Sequence, residues 1–126
     1  MKISFGPWVI APSQVFFESA LSYGIVNLKP IVPGHVLVIP KRVTPRFQEL
    51  TPDEVIDLYT SVHSISKRLE NAYNADALNI AMQDGVHAGQ SVPHVHVHIL
   101  PRRAGDFKRN DDVHEEIESQ RSFIWY

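Results

Sequence analysis

The sequence lacks cysteine, a large net charge and long apolar runs, and each absence excludes a class of protein. With no cysteine, disulfide scaffolds, thiolate zinc sites and thiol nucleophiles are excluded. Its 12 Lys and Arg against 14 Asp and Glu give a net charge of −2. Such a chain has no basic excess with which to neutralise phosphates, so we expect no nucleic-acid partner. Purely apolar runs reach only about four residues, so we expect no membrane partner either.

The length of the sequence indicates the number of domains, and its first residues bear on the cellular location. The 126 residues fit one domain, which we assign to residues 1–126. Gly6 and Pro7 interrupt the apolar character of the first residues, which therefore do not resemble a signal peptide. We expect a cytoplasmic protein and leave a nuclear location open.

Short runs of aromatic and β-branched residues predict strands, and one longer segment predicts a helix. Thr51 is suited to cap that helix, with Pro52 in its first position and Glu54 completing a capping box. Its apolar residues recur every three or four positions from Val55 to Leu69, which predicts one stripe for core packing, and the helix is expected to end near Tyr73-Asn74. The predicted strands are residues 15–18, 21–28, 35–40, 77–83 and 94–100, the last of them ended by Pro101.

Two further predictions concern the last part of the sequence. We expect a short acidic helix over residues 111–120 and docking of the apolar residues 123–126 onto the rest of the chain. Antiparallel strands around one long helix make the fold class α+β.

The unusual feature of the sequence is its histidines, seven in all. His94, His96 and His98 alternate with apolar residues, so on a strand they share one face while their neighbours point into the core. A single histidine is usually an ordinary surface or core residue. Three in strict alternation are not required by packing and therefore indicate chemistry.

Two kinds of chemistry suit this row. Zinc is one, but histidines two and four apart on a strand are separated by ~6.6 and ~13 Å, so a three-ligand site needs a donor from elsewhere, such as His35. Phosphoryl transfer to an extended anion suits the row better, because neutral imidazole is a nucleophile while its neighbours donate hydrogen bonds or carry positive charge. Gln83, Gln90 and Ser91 flank the row with neutral donors suited to phosphate oxygens.

The row His94–Leu100 resembles the signature of the histidine-triad family of nucleotide hydrolases and transferases. Further blocks are similar to its fragile histidine triad branch, namely residues 27–40, 82–85, 88–90 and 101–107. The resemblance covers residues 3–118 and keeps the spacing between blocks. It implies a histidine-triad fold, with a five-stranded antiparallel sheet and one long and one short helix, in a homodimer whose sheets join.

The resemblance also implies an activity, the hydrolysis of dinucleoside polyphosphates, with diadenosine triphosphate cleaved to AMP and ADP. His96 is then the nucleophile that forms a nucleotidyl-histidine intermediate. His94, including its main-chain carbonyl, orients His96, while His98 contacts the phosphate and His35 supports His94.

The substrate-binding residues implied by the resemblance lie on both sides of the row. Asn27 is expected to bind ribose hydroxyls, and Gln83 and Gln90 the phosphates, with Gln90 nearest the leaving side. An apolar slot for the base is expected from Phe5, Ile25 and Leu37. We expect no covalent cofactor and no metal held by the protein, and leave open whether Mg²⁺ or Mn²⁺ is required with the substrate.

Other functions stay open at this point. A nucleoside phosphoramidase of the same family would use the same nucleophile with a different leaving-group pocket. A nucleotide-binding signalling module with slow turnover, or a zinc protein, would be of another class. Gln90 and residues 102–107 favour the hydrolase.

Overall fold

The computed structural model describes residues 2–107 and residue 117. Its single long helix in this part of the chain, α1, spans Pro52–Tyr73. Short 3₁₀ turns occupy Pro12–Gln14, Phe47–Glu49 and Val86–Ala88. The strands are β1 (Ile3–Phe5), β2 (Trp8–Ile10), β3 (Val15–Glu18), β4 (Ser22–Val26), β5 (Val36–Pro40), β6 (Ala77–Met82) and β7 (Val97–Arg102).

Five of these strands form one antiparallel sheet in the order β3-β4-β5-β7-β6. Strands β1 and β2 form a separate hairpin. The expected α+β class with a five-stranded antiparallel sheet is confirmed.

Helix α1 is bounded by the residues that the sequence indicates. The Thr51 hydroxyl accepts the Glu54 main-chain N–H at 3.2 Å, and the Glu54 carboxylate accepts the Thr51 N–H at 2.8 Å. The helix ends at Tyr73 and is followed by Asn74, whose φ of 50° is the left-handed conformation common after a last helical turn. These local signals suffice because each capping group lies within one turn of the helix end.

The two faces of the sheet pack against different layers, because strand side chains alternate. Val36, Val38, Val97 and Ile99 pack against α1. The other face carries a cluster that the β1–β2 hairpin helps to enclose, formed by Phe5, Ile10, Tyr23, Ile25, Leu37, Ile39 and Val92. His98 pairs with Leu37 and therefore lies on the hairpin side.

The strand that carries the histidines differs from its prediction at both ends. It begins at Val97 rather than at residue 94, because the His94 and Val95 N–H groups bond to Val92 and Thr44 instead of a neighbouring strand. It also continues through Pro101, where a stop was expected. Beyond Ile99 the strand pairs with β6 alone, so one side needs no donor from the proline.

The remaining predictions meet the structure only in part. The hairpin over residues 3–10 was not predicted. The expected acidic helix over 111–120 and the tail 123–126 lie outside the described residues, except Ile117, which is buried against Val32 and Leu100. In the part of the chain that is described, no helix is long and apolar enough to cross a membrane.

Candidate active site

Four histidines form a continuous buried row on the hairpin side of the sheet. His35, His94, His96 and His98 are each at most 5% exposed. Ring centroids are 5.2 Å apart for both His96–His98 and His35–His98. The ring of Phe5 lies 5.5 Å from that of His94 and 5.2 Å from that of His96. The alternation seen in the sequence thus does bring the three imidazoles to one face.

His94 has both ring nitrogens engaged. The main-chain N–H of Gly6 donates to Nδ1 at 2.9 Å, so Nδ1 is the unprotonated nitrogen. Nε2 lies 2.8 Å from the Pro40 carbonyl oxygen and must be the donor in that contact. A ring with both nitrogens committed in this way is fixed in orientation and has no lone pair left for a substrate.

His96 has the opposite arrangement. Its Nδ1 lies 2.7 Å from the His94 carbonyl oxygen, which can only accept, so Nδ1 carries the proton. In the neutral ring Nε2 is then unprotonated, and no group in the described part of the chain bonds to it. His96 therefore has a nucleophilic lone pair that its neighbour His94 lacks.

His35 and His98 are linked into a chain of donors. The Ile31 N–H donates to His35 Nδ1 at 3.1 Å, so His35 Nε2 carries the proton and donates to His98 Nδ1 at 3.0 Å. His98 must then carry its own proton on Nε2. The expectation that His35 supports His94 is wrong, since its ring partner is His98.

Burial keeps the imidazoles neutral. It lowers the pKa of both His35 and His94 to about 4. Burial is also the main reason that the pKa of His96 is lowered and that of His98 is well below its usual value. The neighbours of the nucleophile were expected either to donate hydrogen bonds or to carry positive charge. Because their pKa values are lowered, they are neutral at pH 7, which favours hydrogen-bond donation.

Asn27 and the three apolar residues lie next to the row. The Asn27 side chain is buried, and its Nδ2 lies 3.3 and 3.2 Å from the two ring nitrogens of His35. Phe5, Ile25 and Leu37 belong to one core cluster and are each at most 1% exposed. The structure brings these residues together, while their roles toward ribose and base stay predictions.

Gln90 is more constrained than its sequence position suggests. Its Oε1 accepts the Gly85 N–H at 2.7 Å, and its Nε2 donates to the carbonyls of Pro45 at 2.8 Å and Val92 at 2.9 Å. Gln83 is half-buried just after β6, and Ser91 is exposed. The expected phosphate contacts of all three stay predictions, and the Gln90 amide would have to give up internal bonds to make one.

The sequence analysis missed the main-chain groups that set the histidine tautomers. These are the Gly6 and Ile31 N–H groups and the Pro40 carbonyl. Gly6-Pro7 is a turn signal that could have indicated the hairpin. Gly6 has a φ of 57°, and a Cβ there would lie 2.8 Å from a Val92 methyl. Nothing in the sequence indicates that its N–H reaches His94.

A metal is not favoured by the donors that are present. Among residues 2–107 and 117, no three His, Asp or Glu side chains converge on a common point. Both His94 nitrogens face protein groups instead.

Comparison with known proteins agrees with this geometry. The family model for the HIT domain matches residues 10–105, and the chain therefore belongs to the histidine triad family. Within the family it falls in the fragile histidine triad branch.

Three relatives illustrate the similarity. The bis(5'-adenosyl)-triphosphatase of Dictyostelium discoideum is 51% identical over 93% of this chain and 78% of its own length. The bifunctional bis(5'-adenosyl)-triphosphatase/adenylylsulfatase FHIT of Arabidopsis thaliana is 49% identical over 93% of this chain, which spans 65% of that relative. The solved structure of Plasmodium falciparum diadenosine triphosphate hydrolase in complex with Cyclomarin A has a TM-score of 0.82 at 36% identity, covering 98% of this chain and 84% of that one.

Proposed function

We propose that this chain hydrolyses dinucleoside polyphosphates, cleaving diadenosine triphosphate to AMP and ADP through a nucleotidyl group carried on His96. The observation that carries the proposal is the tautomer of His96, whose Nδ1–H is held by the His94 carbonyl and whose Nε2 lone pair is uncommitted in the described structure. The Dictyostelium and Arabidopsis relatives are about half identical to this chain, and both names include bis(5'-adenosyl)-triphosphatase. Those names support the substrate class.

In the first step His96 Nε2 attacks the α-phosphorus. The N–P bond forms, the bond between the α-phosphorus and its bridging oxygen breaks, and ADP leaves with that electron pair. Positive charge develops on the imidazole as it bonds to phosphorus, and the His94 carbonyl stabilises that charge through Nδ1–H. The protonated Nε2 of His98 is suited to donate to a phosphate oxygen at the same time.

In the second step water attacks the nucleotidyl-histidine. The O–P bond forms, the N–P bond breaks, and Nε2 recovers its lone pair as AMP leaves and a proton passes to solvent. Division of one displacement into two easier steps is the usual benefit of a covalent intermediate. Because burial keeps His96 neutral, the ring is ready for another turnover without deprotonation.

The assembly proposed here is a homodimer formed through β6. Of the strands described, β6 lies at one edge of the sheet, and its Ile80 is 49% exposed. Ile56 and Tyr59 on α1 are also exposed large side chains, and Tyr59 lines a groove with Leu78 and Ile80. The apolar stripe of α1 packs on the sheet, as predicted, and leaves Ile56 and Tyr59 outside the core cluster. An unpaired strand edge beside apolar surface is suited to antiparallel pairing with a second copy.

Sedimentation analysis tests the assembly. Ile80→Lys places a charge on this edge and is expected to shift the protein from dimer to monomer. Val9→Lys is the matched control, because Val9 is 53% exposed on the hairpin. A monomeric unaltered protein, or a dimer insensitive to Ile80→Lys, contradicts the proposed interface.

The other expectations about partners and setting stay predictions. A cytoplasmic location and the lack of nucleic-acid and membrane partners belong to this proposal, while a nuclear location and a requirement for Mg²⁺ or Mn²⁺ with the substrate stay open. The phosphoramidase shares its nucleophile and differs in the leaving group, so a preference for diadenosine triphosphate over a nucleoside phosphoramidate distinguishes the two. The signalling module is distinguished by the steady-state rate compared with the rate of product release.

A single-turnover incubation tests the proposed chemistry. Chelator-treated protein is mixed with diadenosine triphosphate, quenched in base and analysed by intact mass for an added AMP. We expect the adduct, together with release of AMP and ADP, in the unaltered protein. His96→Asn should remove the adduct and lower kcat about 10⁴-fold or more, as loss of a nucleophile does.

His63→Asn serves as the control, because His63 is an exposed histidine on α1. It should retain the adduct and full turnover. Near-normal turnover by His96→Asn would show that the nucleophile is assigned wrongly. Activity restored to the chelated protein only by zinc would favour a metal site instead.

A further inference from the structure

A short segment of loop, residues 44–47, holds the longer loop that leads from β6 to the histidine row. The Thr44 carbonyl accepts the Val95 N–H at 2.8 Å. The Pro45 carbonyl accepts Gln90 Nε2 at 2.8 Å, and the Phe47 N–H donates to Asp84 Oδ1 at 2.9 Å. Residues 84–95 are therefore held at their beginning, middle and end by three residues of this short segment.

An ion pair between Arg46 and Asp84 reinforces the attachment at the beginning of the loop. Arg46 Nε donates to Asp84 Oδ1 at 3.0 Å and Nη2 donates to Oδ2 at 3.3 Å, so the guanidinium meets the carboxylate with two nitrogens. The Arg46 hydrogen bond is the main reason that the pKa of Asp84 lies below its usual value. Asp84 is accordingly an anion at neutral pH.

Gln90 also closes the loop on itself. Its side chain bonds to Gly85 and Val92 within the loop as well as to Pro45 outside it. Its main-chain N–H donates to the Gly85 carbonyl at 3.1 Å. The Oε1 atom and both Nε2 hydrogens are thus used to fix the loop, which ends at the residue directly before His96.

We propose that residues 44–47 are a positioning strap for catalysis, and that Asp84 and Gln90 are positioning residues that act through the loop 84–95. In this proposal the Gln90 amide holds the loop and does not bind phosphate. The proposal rests on the proposed hydrolase function. Asp84 is the informative residue, because a carboxylate repels a polyphosphate and its removal can impair the reaction only through the loop.

A double-mutant cycle tests the strap. We expect Asp84→Ala and Gln90→Ala each to lower kcat/KM for diadenosine triphosphate about tenfold, mainly through kcat, because misplacement of reacting groups by about 1 Å costs up to 10²-fold. The double variant should lose little more than either single variant, since both release the same loop. Asp84→Asn keeps an acceptor for the Phe47 N–H and should recover part of the rate.

Hydrogen exchange of residues 85–93 provides a second readout. Both alanine variants should exchange faster in this segment. Lys41→Gln is the matched control, because it breaks the exposed Lys41–Glu18 ion pair, 2.6 Å long, which does not involve the loop. It should change neither the exchange of residues 85–93 nor kcat/KM.

Three results would overturn the strap. One is impairment by Gln90→Ala with Asp84→Ala unimpaired, which would make Gln90 a direct phosphate ligand. The others are additive losses in the double variant and faster exchange without loss of rate. Absence of hydrolysis by the unaltered protein refutes the proposed function instead. In that case, hydrogen exchange of residues 85–93 in the variants and the unaltered protein still tests whether residues 44–47 hold the loop.

Discussion

At the scale of single residues, main-chain groups decide what each histidine can do. Three imidazoles of equal chemistry lie in one row, yet Gly6, Pro40 and the His94 carbonyl give two of them different tautomers. Spacing could identify the row but could not select His96 from it, because the Gly6 and Pro40 groups that occupy both nitrogens of His94 lie far away in the sequence. The family resemblance implied His96 as the nucleophile, and the hydrogen bonds supply the physical reason for that choice.

The tautomer of His98 gives a prediction for His35. Without the His35 Nε2–H, His98 no longer has a reason to keep its proton on Nε2 and loses its role as a donor to phosphate. His35→Ala is expected to lower kcat about tenfold, the loss of roughly one hydrogen bond to a charged group. His35→Gln can still present an N–H and should recover part of the rate. Steady-state kinetics of the two variants provide the measurement, and equal losses would contradict a donor role.

At the scale of elements, helices and strands bounded by local sequence signals were predictable. Contacts between elements that are distant in the sequence were not. Helix α1 was predicted from Thr51 to Tyr73 because its cap, first turn and stripe are all local. The partner of His35 was predicted wrongly because it depends on strand register. Val36 pairs with Ile99 and Leu37 with His98, which places His35 diagonally next to His98. No pattern within either segment encodes that alignment.

The cap of α1 gives the prediction at this scale. Thr51→Ala removes the acceptor of the Glu54 N–H and should lower the free energy of unfolding by about 1 kcal/mol. Chemical denaturation measures the change. Thr60→Ala is the control, since Thr60 is exposed within the same helix and should have a smaller effect. A loss at Thr60 equal to that at Thr51 would show that the cap contributes nothing of its own.

At the scale of the whole molecule, four buried neutral histidines make stability depend on pH. The folded pKa of His35 and His94 is about 4, whereas an unfolded histidine titrates near 6.5. Between these values the unfolded chain binds more protons, so stability must fall as pH falls from 6.5 to 4. Glu54, with its pKa lowered to about 2, chiefly by the Arg42 hydrogen bond, adds a further loss below pH 4.5.

Two measurements follow from these pKa values. Thermal unfolding should show a midpoint that decreases steadily from pH 6.5 to pH 4. By contrast, kcat/KM should stay level through pH 6.5, because His96 is already neutral in the folded protein. A fall in kcat/KM centred on pH 6.5 would mean that the nucleophile titrates as an exposed histidine does.

The hydrogen bond from Gly6 to His94 joins positions 88 residues apart. During synthesis the turn that holds His94 emerges from the ribosome long before the histidines themselves. His96 can be oriented only after residues 94–98 have also emerged and the two segments have met, a contact of high sequence separation and correspondingly slow formation. A nascent chain that stops short of residue 98 therefore has no nucleophile in place, and activity can begin only after that residue has emerged.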